Sequence, residues 1–224
     1  MEFRIFGDPV VFQLGAVPVT ETMLASLGVS LALVAAATVF RHAVLNRPDS
    51  ILAALAKLTV GWLDETVTEI VGRPEPTVAA ISGSLFIFIA ACNLSGQLPG
   101  VHPATASLST TSALAVMVFL AIPVIGVRAR GVWGYVKHYF RPNPILFPLH
   151  LVSEASRTVA LAVRLFGNIM SGHLVVGLLV GLAGFLVPMP FMALDVLIGL
   201  LQAYIFAVLS TVFMGAAIGA REEE

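Results

Sequence analysis

Charge is what this sequence has least of. Only 11% of its 224 residues are Asp, Glu, Lys or Arg, and their net is −1; an ordinary soluble domain carries about 25%. There is no basic tract, so nothing points to nucleic acid. A single cysteine, Cys92, leaves no pair for a disulfide or a zinc site; in its apolar run it reads as a small hydrophobe in a helix. No Gly-rich phosphate loop, no His-Glu-x-x-His and no internal repeat occurs, and no cofactor or metal is expected. The opening MEFRIFGDPVVFQLGAVPVTE lacks a basic stretch followed by an apolar run and a small-residue cleavage site, so no cleaved signal peptide is expected.

Apolar residues fill the space that charge leaves. They make up 58% of the chain, and mean hydropathy is +0.96. Such a composition excludes disorder. It predicts an all-α integral membrane protein, a single membrane domain over 1–224. Five segments can cover the roughly 20 apolar residues that a bilayer crossing takes: about 23–40, 78–98, 108–127, 145–187 and 191–220. Pro188 and Pro190 separate the last two, because proline lacks an amide donor and clashes with the preceding turn. Those two helices should form a hairpin. The fourth, if all helix, would be roughly 65 Å long at about 1.5 Å per residue. That exceeds a hydrocarbon core of about 30 Å, so the hairpin is expected to be steeply tilted.

Lys and Arg set the orientation. Arg41, Arg47, Lys57 and Arg73 fall in segment 41–77, and Arg128, Arg130, Lys137 and Arg141 in 128–141, whereas loops 99–107 and 188–190 have none. The positive-inside rule places both basic segments and the C-terminus in the cytoplasm, with the N-terminus outside. Within the first, residues 49–71 have apolar residues at Ile51, Leu55, Leu58, Leu63, Val67 and Ile70. This spacing predicts an amphipathic helix on the cytoplasmic face, lying on lipid or on a partner.

Against that background a few polar residues stand out. Arg164 lies in AVRLFGN, and a charge at the bilayer centre costs at least about 2.5–3.5 kcal/mol. His150, Arg157, Arg164 and Ser171 recur every seven residues and share a helix face, with Asn168 one turn beyond Arg164. Glu154 is three residues before Arg157 and can pair with it. In the last helix Asp195 and Gln202 are seven apart. Gln202 can hydrogen-bond a guanidinium or a carboxylate. His173 falls about 180° from Arg164 on an ideal helix, but the hairpin brings it to the depth of Asp195, where the two can form a titratable pair. No acid of this chain is an evident partner for Arg164, so its partner is expected from another subunit.

The run ASRTVALAVRLFGNIMSGHL, followed by LIGLLQAYIFAVLSTVF, resembles subunit a of the membrane (Fo) sector of F-type ATP synthases. NLSGQLPG at 93–100 and HPATASLSTTSALAV at 102–116 are similar to that family too, and the likeness extends over about residues 20–220. The resemblance implies a non-catalytic stator subunit. Its partners would be a ring of c subunits, the peripheral stalk of subunit b, the rest of the F1Fo complex and membrane lipids, in a bacterial inner membrane. Arg164 matches the family's essential arginine, facing the ring carboxylates and separating two offset half-channels. Asn168 and Gln202 match positions around it, and His173 with Asp195 matches an acid–histidine pair of the outer half-channel. The coupling ion is expected to be H+, with Na+ the alternative.

The sequence departs from that pattern in three places. Arg157-Thr158 replaces the Lys-Pro or Gln-Pro of many relatives, His150 stands where some have an acid, and His173 and Asp195 exchange the order that others show. A rival reading is a stand-alone transporter or channel in which Arg164 binds an anion; it predicts inverted repeats or broken helices, and neither is legible.

Overall fold

The computed structural model describes residues 10–14, 17–97, 103–139, 147–184 and 187–219. A small antiparallel ribbon comes first, β1 (Val10–Leu14) and β2 (Val17–Thr20), with Val10 opposite Thr20 and Leu14 opposite Val17. The sequence reading had no strands here; Val10, Val11 and Phe12 on one side and Val17 and Val19 on the other favour extended pairing. Six α-helices follow: α1 (Glu21–Asn46), α2 (Ile51–Val71), α3 (Pro76–Ser95), α4 (Leu108–Tyr139), α5 (Phe147–Ala183) and α6 (Pro188–Ile218). A short 3-10 turn, Ala104–Ala106, precedes α4.

Helix ends follow local chemistry. Thr20 and Ser50 cap α1 and α2, their hydroxyls accepting from Met23 N and Ala53 N. This satisfies amides that the first helical turn leaves without partners. Pro76 and Pro188 open α3 and α6 at the first helical position, where a missing N–H costs nothing.

Five of these helices are long and apolar enough to cross a membrane: α1, α3, α4 as far as Gly134, most of α5, and α6. Their outward faces are apolar. Leu27, Leu31, Leu120, Leu178 and Leu182 are all exposed, a surface that water would penalise and lipid does not. Inside, α3, α4, α5 and α6 share one core in which Ile89, Val118, Leu161, Leu165, Phe206 and Met214 are almost fully buried.

Two expectations need correction. The third span was read as ending near Val127 before a basic loop, but α4 continues to Tyr139 with a break at Gly131, where φ is +72°. Nothing between Val127 and Gly131 disfavours helix, and glycine takes the left-handed turn without a Cβ penalty. The single apolar stripe expected on α2 divides in two. Ile51, Leu55 and Leu58 are exposed, while Val67 and Val71 enter the core. At about 100° per residue these groups lie well over 100° apart round the helix. The second half of α2 is tied to the bundle through Trp62, whose ring lies 5.6 Å from Phe86 and 6.1 Å from Tyr204.

Candidate functional site

The functional candidates lie along the α5–α6 hairpin, and two contacts set its register. Near the start of α6, Asp195 rests directly on Gly172 of α5; a Cβ at position 172 would collide with the carboxylate. Near the end of α6, the guanidinium of Arg157 lies over the Phe213 ring, 5.5 Å from its centre. The helices are antiparallel, so Arg164, roughly midway between Arg157 and Gly172, comes level with Ala203 to Phe206.

Arg164 points away from the core. It is exposed, as are Arg157 and Ser171, and Asn168 is half-exposed. Leu161, Leu165 and Ile169 on the adjoining face are buried. The seven-residue stripe therefore forms an outward-facing line on α5, and among the described residues Arg164 has neither a hydrogen bond nor an ion pair. Ser171 Oγ donates to the Asn168 carbonyl at 2.9 Å, inside the same helix. The side chains of His150 and His173 lie outside the described residues, so the His173–Asp195 pair is left as an expectation. The chain does bring Asp195 to Gly172, the residue next to His173.

Arg157 is drawn to the face of Phe213, an attraction between cation and ring quadrupole worth about 0.5–1 kcal/mol at an exposed site. The sequence showed Glu154 one turn away but could not show an aromatic ring arriving from α6.

Gln202 faces inward. It is 6% exposed, and its Nε2 has no hydrogen-bond partner. It is joined to neither Arg164 nor Asp195. A buried donor left unmatched costs about 1–3 kcal/mol, a cost that protein interiors rarely carry without a reason.

Around Asp195 a polar layer gathers from four elements. Gln97, in the turn closing α3, donates from Nε2 to Asp195 Oδ2 at 3.0 Å. Asn93 Nδ2 donates to the Gly199 carbonyl at 2.8 Å, and Thr105 Oγ1 donates to Asn93 Oδ1 at 2.9 Å. Gly199 admits this approach because a Cβ there would lie 3.2 Å from Asn93. The NLSGQLPG and HPATASLSTTSALAV runs supply Asn93, Gln97 and Thr105, but their spacing alone did not say that they converge on α6.

At the opposite end, Arg130 Nε donates to the Ile218 carbonyl at 3.1 Å and lies against Gly219, the left-handed cap of α6 with φ +74°. A cation at a helix C-terminus satisfies orphan carbonyls and the helix dipole together.

The chain is similar to known proteins over almost its whole length. Residues 21–215 match the profile of the family described as ATP synthase A chain. The chain is 42% identical to ATP synthase subunit a 2 of a Bradyrhizobium species over 221 residues, 98% of both chains. It is 47% identical to ATP synthase subunit a 2 of Acaryochloris marina over 163 residues, 73% of this chain and 70% of that one. It is also 38% identical to ATP synthase subunit a of Legionella pneumophila over 213 residues, 94% and 92% of the two chains. The chain is a membrane protein of the ATP synthase A chain family.

Proposed function

We propose that this chain is the ion-conducting stator of the Fo sector. Two aqueous half-channels would open to opposite sides and meet the carboxylates of a rotating c ring at offset positions beside Arg164. The observation that carries the reading is an exposed arginine without a partner among the described residues, midway along an overlong hairpin. It lies between a polar layer at Asp195 and a second polar group at Arg157 and Glu154.

The chemistry follows from charge. A carboxylate about 4 Å from the guanidinium gains about 4 kcal/mol at an effective dielectric of about 20. That equals about three pKa units, enough to make an arriving protonated acid shed its proton. A free cation passing about 6 Å away is repelled by about 3 kcal/mol, roughly a hundredfold barrier to leakage. Arginine suits the place because it stays charged when desolvated and its fork matches a carboxylate.

Asn168 and Gln202 flank the exchange point, the former on the outer face and the latter as a spare buried donor. Asp195 with His173 serves the outer half-channel; Glu154, Arg157, His150 and Ser171 are weaker candidates for the inner. In this reading the first half of α2, with Ile51, Leu55 and Leu58, lies on the cytoplasmic face, and the N-terminus is outside. The chain holds no ATP; hydrolysis and synthesis belong to F1, and subunit b braces the stator. H+ is the coupling ion, with Na+ the alternative to be tested. The transporter reading is not favoured, because α5 and α6 run through the level of Arg164 without a break.

The test is ATP synthesis and ATP-driven pumping in vesicles holding the assembled complex with Arg164→Ala. Loss of both, with a rise in passive proton conductance, is expected. Coupled transport at normal rates would overturn the reading.

A further inference from the structure

Gln97 was not among the residues that the sequence singled out, and no resemblance used above gives it a role. Its Nε2 donates to Asp195 Oδ2 at 3.0 Å, while the same carboxylate rests on Gly172. Three elements thus hold one acid: the turn after α3, α5 and α6. The hydrogen bond has a direction. An amide nitrogen can only donate, and an ionised carboxylate can only accept. A donor fixed at that distance therefore sets which way the carboxylate faces. Gly172 adds to this by leaving a notch in which the carboxylate is seated.

We propose that Gln97 is a positioning residue of the outer ion path: it seats the Asp195 carboxylate on Gly172 in the orientation that proton exchange needs. This rests on the reading of Asp195 as an ion-path residue. The other titratable groups on the packed elements are few. On α3 there is Cys92; on α6, Tyr204; on α5, His173 beside Gly172, Arg164 about two turns away, and Glu154 and Arg157 at the far end. Glu21 stands at the start of α1, and the charges of α4 begin at Arg128, remote from this end. His102 lies outside the described residues. None of the described groups donates to Asp195, so Gln97 is its one described hydrogen-bond donor.

The experiment uses inverted membrane vesicles with the assembled complex, measuring ATP-driven proton pumping across a range of luminal pH. Gln97→Leu removes the donor and unseats the carboxylate, so pumping should fall at least about tenfold across the whole range. Gln97→Glu should pump normally while its own acid is protonated and can donate, then fail as pH rises and two carboxylates face each other.

A structural role would lower the rate of both variants alike at every pH. Normal pumping by Gln97→Leu, a Gln97→Glu profile with the same shape as that of the unaltered complex, or loss of the assembled complex in both, would overturn the proposal. Asp195→Asn separates the two readings. If it abolishes transport while the Gln97 profiles stay unmoved, only the role of Gln97 fails. If Asp195→Asn pumps normally, the ion-path reading of Asp195 fails, and the role of Gln97 with it.

Discussion

Asn93 and Gly199 are joined by a hydrogen bond of 2.8 Å, side-chain amide to main-chain carbonyl, across a close approach of α3 to α6. Asn93 is 8% exposed and also accepts from Thr105. Asn93→Leu removes both bonds and leaves the buried Thr105 hydroxyl without its partner, at a cost of about 2–4 kcal/mol. The detergent-solubilised protein should melt several degrees lower, and thermal unfolding monitored by helical circular dichroism checks this.

Gly172→Ala places a methyl group where the Asp195 carboxylate rests. The acid must move, which breaks its bond to Gln97. Proton pumping should fall at least about tenfold, since displacement of a reacting group by about 1 Å can cost 10²-fold. Gly172→Ala combined with Asp195→Ala should recover assembly, because the clash is gone, but not transport. The two readouts are retention of F1 on washed membranes and vesicle acidification.

Arg164 and Gln202 should separate function from stability. Arg164 is exposed and makes no hydrogen bond or ion pair among the described residues, so Arg164→Ala should alter unfolding by less than about 0.5 kcal/mol. Gln202 has a buried donor without a partner, so Gln202→Leu should leave the isolated chain equally stable or about 1 kcal/mol more so. If either substitution strongly destabilises the fold, that residue has a structural duty.

Arg130 fastens the end of α6 to α4. Arg130→Met should cost about 1–3 kcal/mol through the lost charge-assisted bond. Gly219→Ala should cost at least about 1 kcal/mol, because a Cβ there meets both a left-handed backbone and the guanidinium. Proteolysis near the C-terminus of α6 should accelerate in both variants.

Much of this was legible in the sequence because it depends on composition and period. The membrane class follows from the scarcity of charge, and prolines mark the starts of α3 and α6. The seven-residue spacing puts Arg157, Arg164 and Ser171 on one face of α5, and all three are exposed. The division of α2 was legible too, had its apolar positions been placed round the helix rather than counted.

What the sequence determined by itself is whatever acts between near neighbours: which segments are helical, which can live in lipid, which face of α5 is polar and where the caps fall. Only the tertiary structure decided that Gln97, Gly172 and Asp195 meet, that the Phe213 ring comes under Arg157, and that Gln202 is buried with its Nε2 unmatched among the described residues. Helical period fixes direction round one axis, whereas contacts between axes depend on how closely glycines such as Gly172 and Gly199 let the helices approach. That distance is set by packing among all of them together.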